Sequence, residues 1–278
     1  MGREHVEFVQ AQALPWEAQR PYPQGAEVKI LSRDAGTGAA STIIRYPAGW
    51  SAPAGALGAA EELFVLEGEL SLGSRTYRQD CYAYLPAGFQ REPAATENGA
   101  VVLTFFDGEP AWRAAPAAAD GDGAIPFLDA FEMPWESGEM DPAYADVGLR
   151  WKILRYDAER NDCSMLIMTP PHMHPSDWRG PQEVHDCVEE MFLISGDFLS
   201  NVGVMCDGAY FWRPPGIAHG PYGSRAGNLT FIRTLGHPLE NNWTDYEVSI
   251  DREPEGEPLI PEALRPRLAE GWAPPARY

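Results

Sequence analysis

Three side chains able to hold a metal stand at telling intervals in the second half of the chain. They are His185, Glu189 four residues later, and His219 just past the turn Pro214-Pro215-Gly216. A divalent metal needs several electron-pair donors converging on one point, and strands supply them because alternate side chains share a face. The even spacing of His185 and Glu189 puts both on one side of an extended segment, and the Pro-x-Gly turn can lead His219 in from a neighbouring strand. Imidazole and carboxylate together suit Fe(II), and also Mn, Ni or Zn, with positions left open for a substrate.

Further donors lie nearby. Glu183 is two residues before His185, and His172 and His174 fall within Pro170-Pro171-His172-Met173-His174. Cys187 has even spacing from both His185 and Glu189, although a small thiol in a strand wall is more often packing than ligand. Tyr222 follows His219 and, with Tyr210, Phe211 and Trp212, can build an apolar pocket over the metal. Arg233 shares a face with Leu229, Phe231 and Leu235, so its guanidinium needs an anion, either a protein carboxylate or the acidic group of a substrate. Glu190 points away from Glu189 by alternation, and His5 and His237 have no partner at ligand spacing.

The elements that must carry these residues repeat. Leu14-Pro15-Trp16-Glu17 recurs as Met133-Pro134-Trp135-Glu136, and Lys29-Ile30-Leu31 as Lys152-Ile153-Leu154. Glu61-Glu62-Leu63-Phe64-Val65-Leu66-Glu67-Gly68 matches Glu189 to Gly196 at an offset of 128, which then holds through Pro86/Pro214, Gly108/Gly236 and Pro110/Pro238. The Lys29/Lys152 match is offset by 123, so the second half carries an insertion of five residues between Pro171 and Val188, beside the candidate ligands. The repeats delimit domains at 9–112 and 127–243, an Ala-rich linker over 111–123, and an extended tail over 244–278 in which only Pro261 to Gly271 reads as a short helix. Within each half the apolar runs are short and bounded by Gly, Pro or Asp: Ser41 to Tyr46, Leu63 to Leu66, Tyr82 to Leu85 and Val101 to Phe106, then Ser164 to Thr169, Met191 to Ile194, Tyr210 to Arg213 and Leu229 to Leu235. That pattern predicts an all-β protein with one sandwich or barrel per repeat.

Composition agrees. The 27 glycines and 26 prolines, spread along 278 residues, suit many short strands, and 44% hydrophobic content supports a real core. A formal charge of −20 points away from nucleic acid and anionic membranes. Four scattered cysteines and no apolar leader or membrane-length run point to a reduced, cytoplasmic protein acting on a small molecule.

The residues resemble the cupin superfamily, whose first motif reads G-x5-H-x-H-x3or4-E-x6-G and whose second reads G-x5-P-x-G-x2-H-x3-N. His185-x3-Glu189-x6-Gly196 reproduces the end of the first, and Gly208-x5-Pro214-x-Gly216-x2-His219 the second up to its histidine. Gly223 replaces the closing Asn, and Glu183 stands where the first histidine would be. The resemblance implies His185, Glu189 and His219 as metal ligands, with Glu183, His174 or, less readily, His172 completing the site, or water in their place. At the same positions the first half has Gly55, Leu57, Glu61 and Arg91, so the whole chain resembles a bicupin of two tandem jelly-roll barrels with a degenerate N-terminal one. Within the superfamily it looks closest to the group of the anti-sigma factor ChrR and of small dioxygenases such as acetylacetone dioxygenase.

That resemblance implies a metal-dependent enzyme, an Fe(II) dioxygenase acting on a small enolisable or phenolic compound in the C-terminal barrel. Glu183, Tyr222 and Arg233 are its candidate catalytic groups, and a homodimer joined through the sheets is its implied assembly. Isomerase, lyase or decarboxylase chemistry with Mn, Ni or Zn, with Glu183 as base, is the alternative, followed by a non-catalytic sensor. No helical zinc-binding domain of the ChrR kind precedes the repeats.

Overall fold

The computed structural model describes residues 2–114, 121–138, 141–250, 262, 265–267 and 278. Strands dominate, and among these residues the only helical elements are three-residue 3-10 turns. The strands contain the apolar runs expected of them, extended at their ends: Ala40–Tyr46, Glu61–Leu72, Cys81–Leu85 and Ala100–Phe106, then Asp162–Thr169, Val188–Ser200, Ala209–Arg213 and Asn228–Leu235.

The chain forms two compact units, Met1–Arg3 with Leu14–Met133, and Glu4–Ala13 with Pro134–Tyr278. These bounds differ from 9–112 and 127–243 because strand pairing overrides the repeat. Ile125–Asp129 pairs with Cys81–Leu85, which carries the first unit past residue 112, and Val6–Gln10 pairs with Ala209–Arg213 of the second unit. The tail expected from residue 244 begins instead inside a strand, Asn242–Ser249, which pairs antiparallel with Arg179–Val184. Of the helix expected between Pro261 and Gly271, Glu262 and the 3-10 turn Arg265–Arg267 are described; the remainder lies outside the described residues, as do residues 115–120 of the linker.

In the second unit the sheet runs Val6–Gln10, Ala209–Arg213, Val188–Ser200, Asn228–Leu235, Asp162–Thr169, Arg150–Asp157, with every neighbouring pair antiparallel. Alternation along Val188–Ser200 sends Glu189, Met191 and Leu193 to one face and Glu190, Phe192 and Ile194 to the other, and all six are buried. Phe8, Met191, Leu193, Met205, Ala209 and Phe211 pack together on the inner side; each large apolar side chain buried this way stabilises the fold by roughly 1.5–3 kcal/mol. Gly196 closes the first motif for a physical reason. Its φ is +96°, and a Cβ there would come 2.0 Å from the carbonyl oxygen of Gly227.

The first unit has the same build, in the order Ile125–Asp129, Cys81–Leu85, Glu61–Leu72, Ala100–Phe106, Ala40–Tyr46, Glu27–Arg33. Its core includes Val28, Ile44, Leu63, Val65, Val102 and Phe106. A local detail recurs in both units. Glu183 and His219 exchange backbone hydrogen bonds of 2.9 and 3.0 Å, and Gly55 and Arg91, at the corresponding places in the repeat, exchange bonds of 3.1 and 2.7 Å.

Candidate metal centre

Three segments of the second unit converge at one end of the inner face: the end of Arg179–Val184 with the residues after it, the start of Val188–Ser200, and the turn following Ala209–Arg213. The Gly216 amide, set by a φ of +83°, donates to the His185 carbonyl at 2.9 Å and ties the first motif to the second. With the Glu183–His219 bridge this brings the donor atoms of Glu183, His185 and His219 within 4.8 Å of one another. Glu189 stands against both imidazoles, its Oε2 lying 3.3 Å from His219 Nε2 and 3.9 Å from His185 Nε2, while Glu183 Oε1 lies 3.4 Å from His219 Nε2. All four residues are buried, none more than 8% exposed.

The histidine hydrogen bonds indicate how the centre is set. His185 Nδ1 lies 2.9 Å from the carbonyl oxygen of Glu240 and His219 Nδ1 lies 2.8 Å from that of Ile217. A carbonyl only accepts, so each Nδ1 donates there and each Nε2 is the ring atom left to face the cluster. His219 Nε2 is buried with no hydrogen-bond partner among the described residues, and it faces carboxylate oxygens. A ring nitrogen and carboxylate oxygens set face to face in a buried site call for a cation between them. Charge points the same way: the carboxylates of Glu7, Glu183 and Glu189 share one guanidinium, that of Arg213, with His5 3.0 Å from Glu7, so the group readily accepts further positive charge. The residues therefore fit a divalent metal.

A surrounding layer holds the carboxylates. Tyr144, in the 3-10 turn Pro142–Tyr144 whose N-cap is Asp141, donates its hydroxyl to Glu183 Oε2. Burial acts to raise the carboxyl of Glu183, but the imidazole of His219 opposes it and the balance lies below the ordinary value. Arg213, 2% exposed, donates to Glu189 Oε2 at 2.8 Å and to both oxygens of Glu7, the Nε bond being 2.5 Å. Burial drives the Tyr144 and Tyr222 hydroxyls above their ordinary range, so both stay protonated. The Tyr222 hydroxyl is buried without a hydrogen-bond partner among the described residues, and its ring stacks on Phe198 at 4.4 Å. A cavity of about 770 Å³ opens beside these groups, its walls including Tyr144, Trp151, Phe198, Phe211, Tyr222 and Trp243.

Of the residues expected from the sequence, the structure brings Glu183, His185, Glu189, His219 and Tyr222 together. His174 stands apart from the cluster, in the cavity wall, where its ring lies flat on Trp178 at 3.7 Å; His172 is its neighbour at 6.4 Å. Cys187 is outside the cluster too, and burial followed by the charge of Glu189 pushes its thiol up to about 12. Arg233 must be corrected. It pairs in register with Glu190 and donates to that carboxylate, which also accepts from Tyr210 at 2.8 Å. The cavity face of its strand is Asn228, Thr230 and Ile232, so Arg233 turns away.

Tyr144, Arg213 and Glu7 were not expected. Arg213 was legible in principle, since it lies two residues from the inward Phe211. Tyr144 sits in a stretch with no motif, and Glu7 meets Arg213 across 206 positions of sequence.

A family model described as "Domain of unknown function (DUF4437)" matches residues 7–240. The chain belongs to that family. None of the curated proteins matches the sequence of this DUF4437 member. Among solved structures it is similar to a Nostoc punctiforme PCC 73102 protein described as a "putative dioxygenase", with a TM-score of 0.75 and 19% identity over 91% of this chain and 92% of that one. Ylba from E. coli follows with a TM-score of 0.56 and 14% identity, over 84% and 92%. A mutant form of Bacillus subtilis oxalate decarboxylase OxdC gives 0.52 and 14%, over 87% and 79%. At these identities the likeness shows the fold, a cupin-type β-barrel architecture, and leaves function to the site itself.

Proposed function

We propose that this DUF4437 protein is a metal-dependent cupin enzyme, an Fe(II) dioxygenase acting on a small enolisable or phenolic compound in its C-terminal barrel. The observation that carries the reading is Nε2 of buried His219, without a hydrogen-bond partner among the described residues and set 3.4 and 3.3 Å from Glu183 and Glu189. His185, His219, Glu189 and Glu183 would hold the ion. When bound, a divalent metal supplies Lewis acidity toward an enol or phenol oxygen and, as Fe(II), reactivity toward O2.

The chain's own residues would do the rest. Aromatic walls exclude water and accept a flat apolar body. The unpartnered Tyr222 hydroxyl orients a substrate oxygen by donating to it. Arg213 holds the Glu189 carboxylate in place. Loss of the three ligand equivalents at Gly55, Leu57 and Arg91 supports treating the first barrel as one that holds no metal. Four free cysteines support a reducing, cytoplasmic setting.

One observation favours a second reading. Tyr144 and Glu183 form a partly buried hydroxyl–carboxylate pair at the cavity, able to take a proton from a substrate carbon and return it. This would serve a Mn, Ni or Zn isomerase or lyase. Metal identification joined to O2 uptake against 1,3-diketones, hydroxyketones and catechols separates the two. Uptake coupled to substrate loss is expected; full metal loading with no uptake, but exchange of substrate C–H protons into D2O, would establish the second reading instead.

A further inference from the structure

Arg91 occupies in the first unit the place of His219 in the second, and Glu61 that of Glu189. The arginine is 8% exposed and gives its Nη1 to Glu61. Its Nε and Nη2 atoms are buried without hydrogen-bond partners among the described residues. Those two N–H groups lie parallel along one edge of the guanidinium, the edge that matches the two oxygens of a carboxylate. Buried donors of a charged group are costly to leave unmade, and protein interiors rarely do so without a ligand or water.

The same arginine lines a cavity of about 860 Å³ whose walls include Tyr22, Tyr46, Trp50, Leu63, Val102 and Phe106. Arg20, Glu61, Glu92 and Glu109 also line it, so the chamber joins an apolar wall to a charged one, and a convergent pair of directed donors beside an apolar wall is the form of a small-molecule site. We infer that the first barrel binds a small organic carboxylate with an apolar body, its two oxygens received by Nε and Nη2 of Arg91. Glu61 already offsets the arginine's charge, so recognition rests on the two directed donors rather than on net charge. Where the second barrel places imidazoles around a metal, the first places an organic cation. The site is independent of the metal centre and of the activity proposed for it.

The test uses the full chain stripped of metal with EDTA and titrated calorimetrically with phenylacetate and with hexanoate. Saturable binding at one site per chain is expected for at least one of them in the millimolar range or tighter, at least tenfold weaker for the matched neutral amide. Arg91→Lys keeps a cation beside Glu61 but lacks the parallel donors, and should weaken binding at least tenfold; Ala52→Phe, which fills the chamber from its rim, should do the same if Arg91→Lys fails to fold. His219→Ala should leave binding within twofold. No binding of either acid, equal binding of the amide, or undiminished binding to a folded Arg91→Lys protein would overturn the inference. Loss of binding in His219→Ala would overturn it as well, by placing the ligand in the second unit.

Discussion

Replacing Arg213 with methionine should destabilise the second unit severely, and the structure supplies the size of the effect. The guanidinium is wholly buried and serves two carboxylates, Glu7 and Glu189. Burial works to raise the carboxyl of Glu7, but the charge and hydrogen bonds of Arg213 prevail and bring it from 4.5 down to about 2. The difference corresponds to roughly 3 kcal/mol of folding stability from Glu7 alone. Because the folded value lies below the unfolded one, that contribution is complete above about pH 4.5 and is lost as pH falls toward 2. Methionine fills much of the volume but takes the guanidinium from two buried carboxylates, leaving Glu7 with His5 at 3.0 Å and Glu189 with His219 at 3.3 Å, and removing one partner of a buried ion pair costs about 3–5 kcal/mol. At about 2–4 °C per kcal/mol for a unit of this size, the midpoint should fall by on the order of 10 °C. Thermal and urea unfolding of the EDTA-stripped protein at pH 7 measures this, with Arg213→Met, Glu7→Gln and the double variant closing a cycle. The double variant should recover part of the loss. An Arg213→Met protein within about 1 kcal/mol of wild type, or a double variant no more stable than the single, would refute the reasoning.

Two other substitutions separate the layers of the site. Tyr144→Phe removes the hydroxyl from Glu183 while keeping the ring, and should weaken metal binding about 10- to 100-fold with little change in melting temperature; competition titration with a chromophoric chelator measures it, and unchanged affinity would remove Tyr144 from the centre. Arg233→Leu takes the guanidinium from buried Glu190, and should cost about 3–5 kcal/mol in urea unfolding while leaving metal content unchanged; loss of metal without loss of stability would return Arg233 to the site.

The fold and the two histidines were legible because the constraints on them are local. Short apolar runs between turn residues announce strands, and the repeat shows that two sets were built alike. His185, Glu189 and His219 follow from an even spacing and a Pro-x-Gly turn, both of which translate directly into facing. The choice between Glu183 and His174 was not legible, since it depended on how the five-residue insertion folds. Glu183 is held at the cluster by its backbone bridge to His219, whereas His174 lies flat on Trp178. Arg233 misled for a different reason. Both faces of Asn228–Leu235 carry buried residues, Phe231 on one side and Thr230 on the other, so hydrophobicity could not say which faced the cavity. Glu7 and Arg213 show the limit of any local reading, because nothing near either residue specifies a partner 206 positions away.

Metal content of the purified, reconstituted chain tests the central claim most directly. Elemental analysis should find one transition metal per chain, absent from His219→Ala and fully retained in Arg91→Lys. A chain that takes up no metal, one that takes up two, or a folded His219→Ala protein that keeps its metal would contradict a single centre built on His185, His219, Glu189 and Glu183.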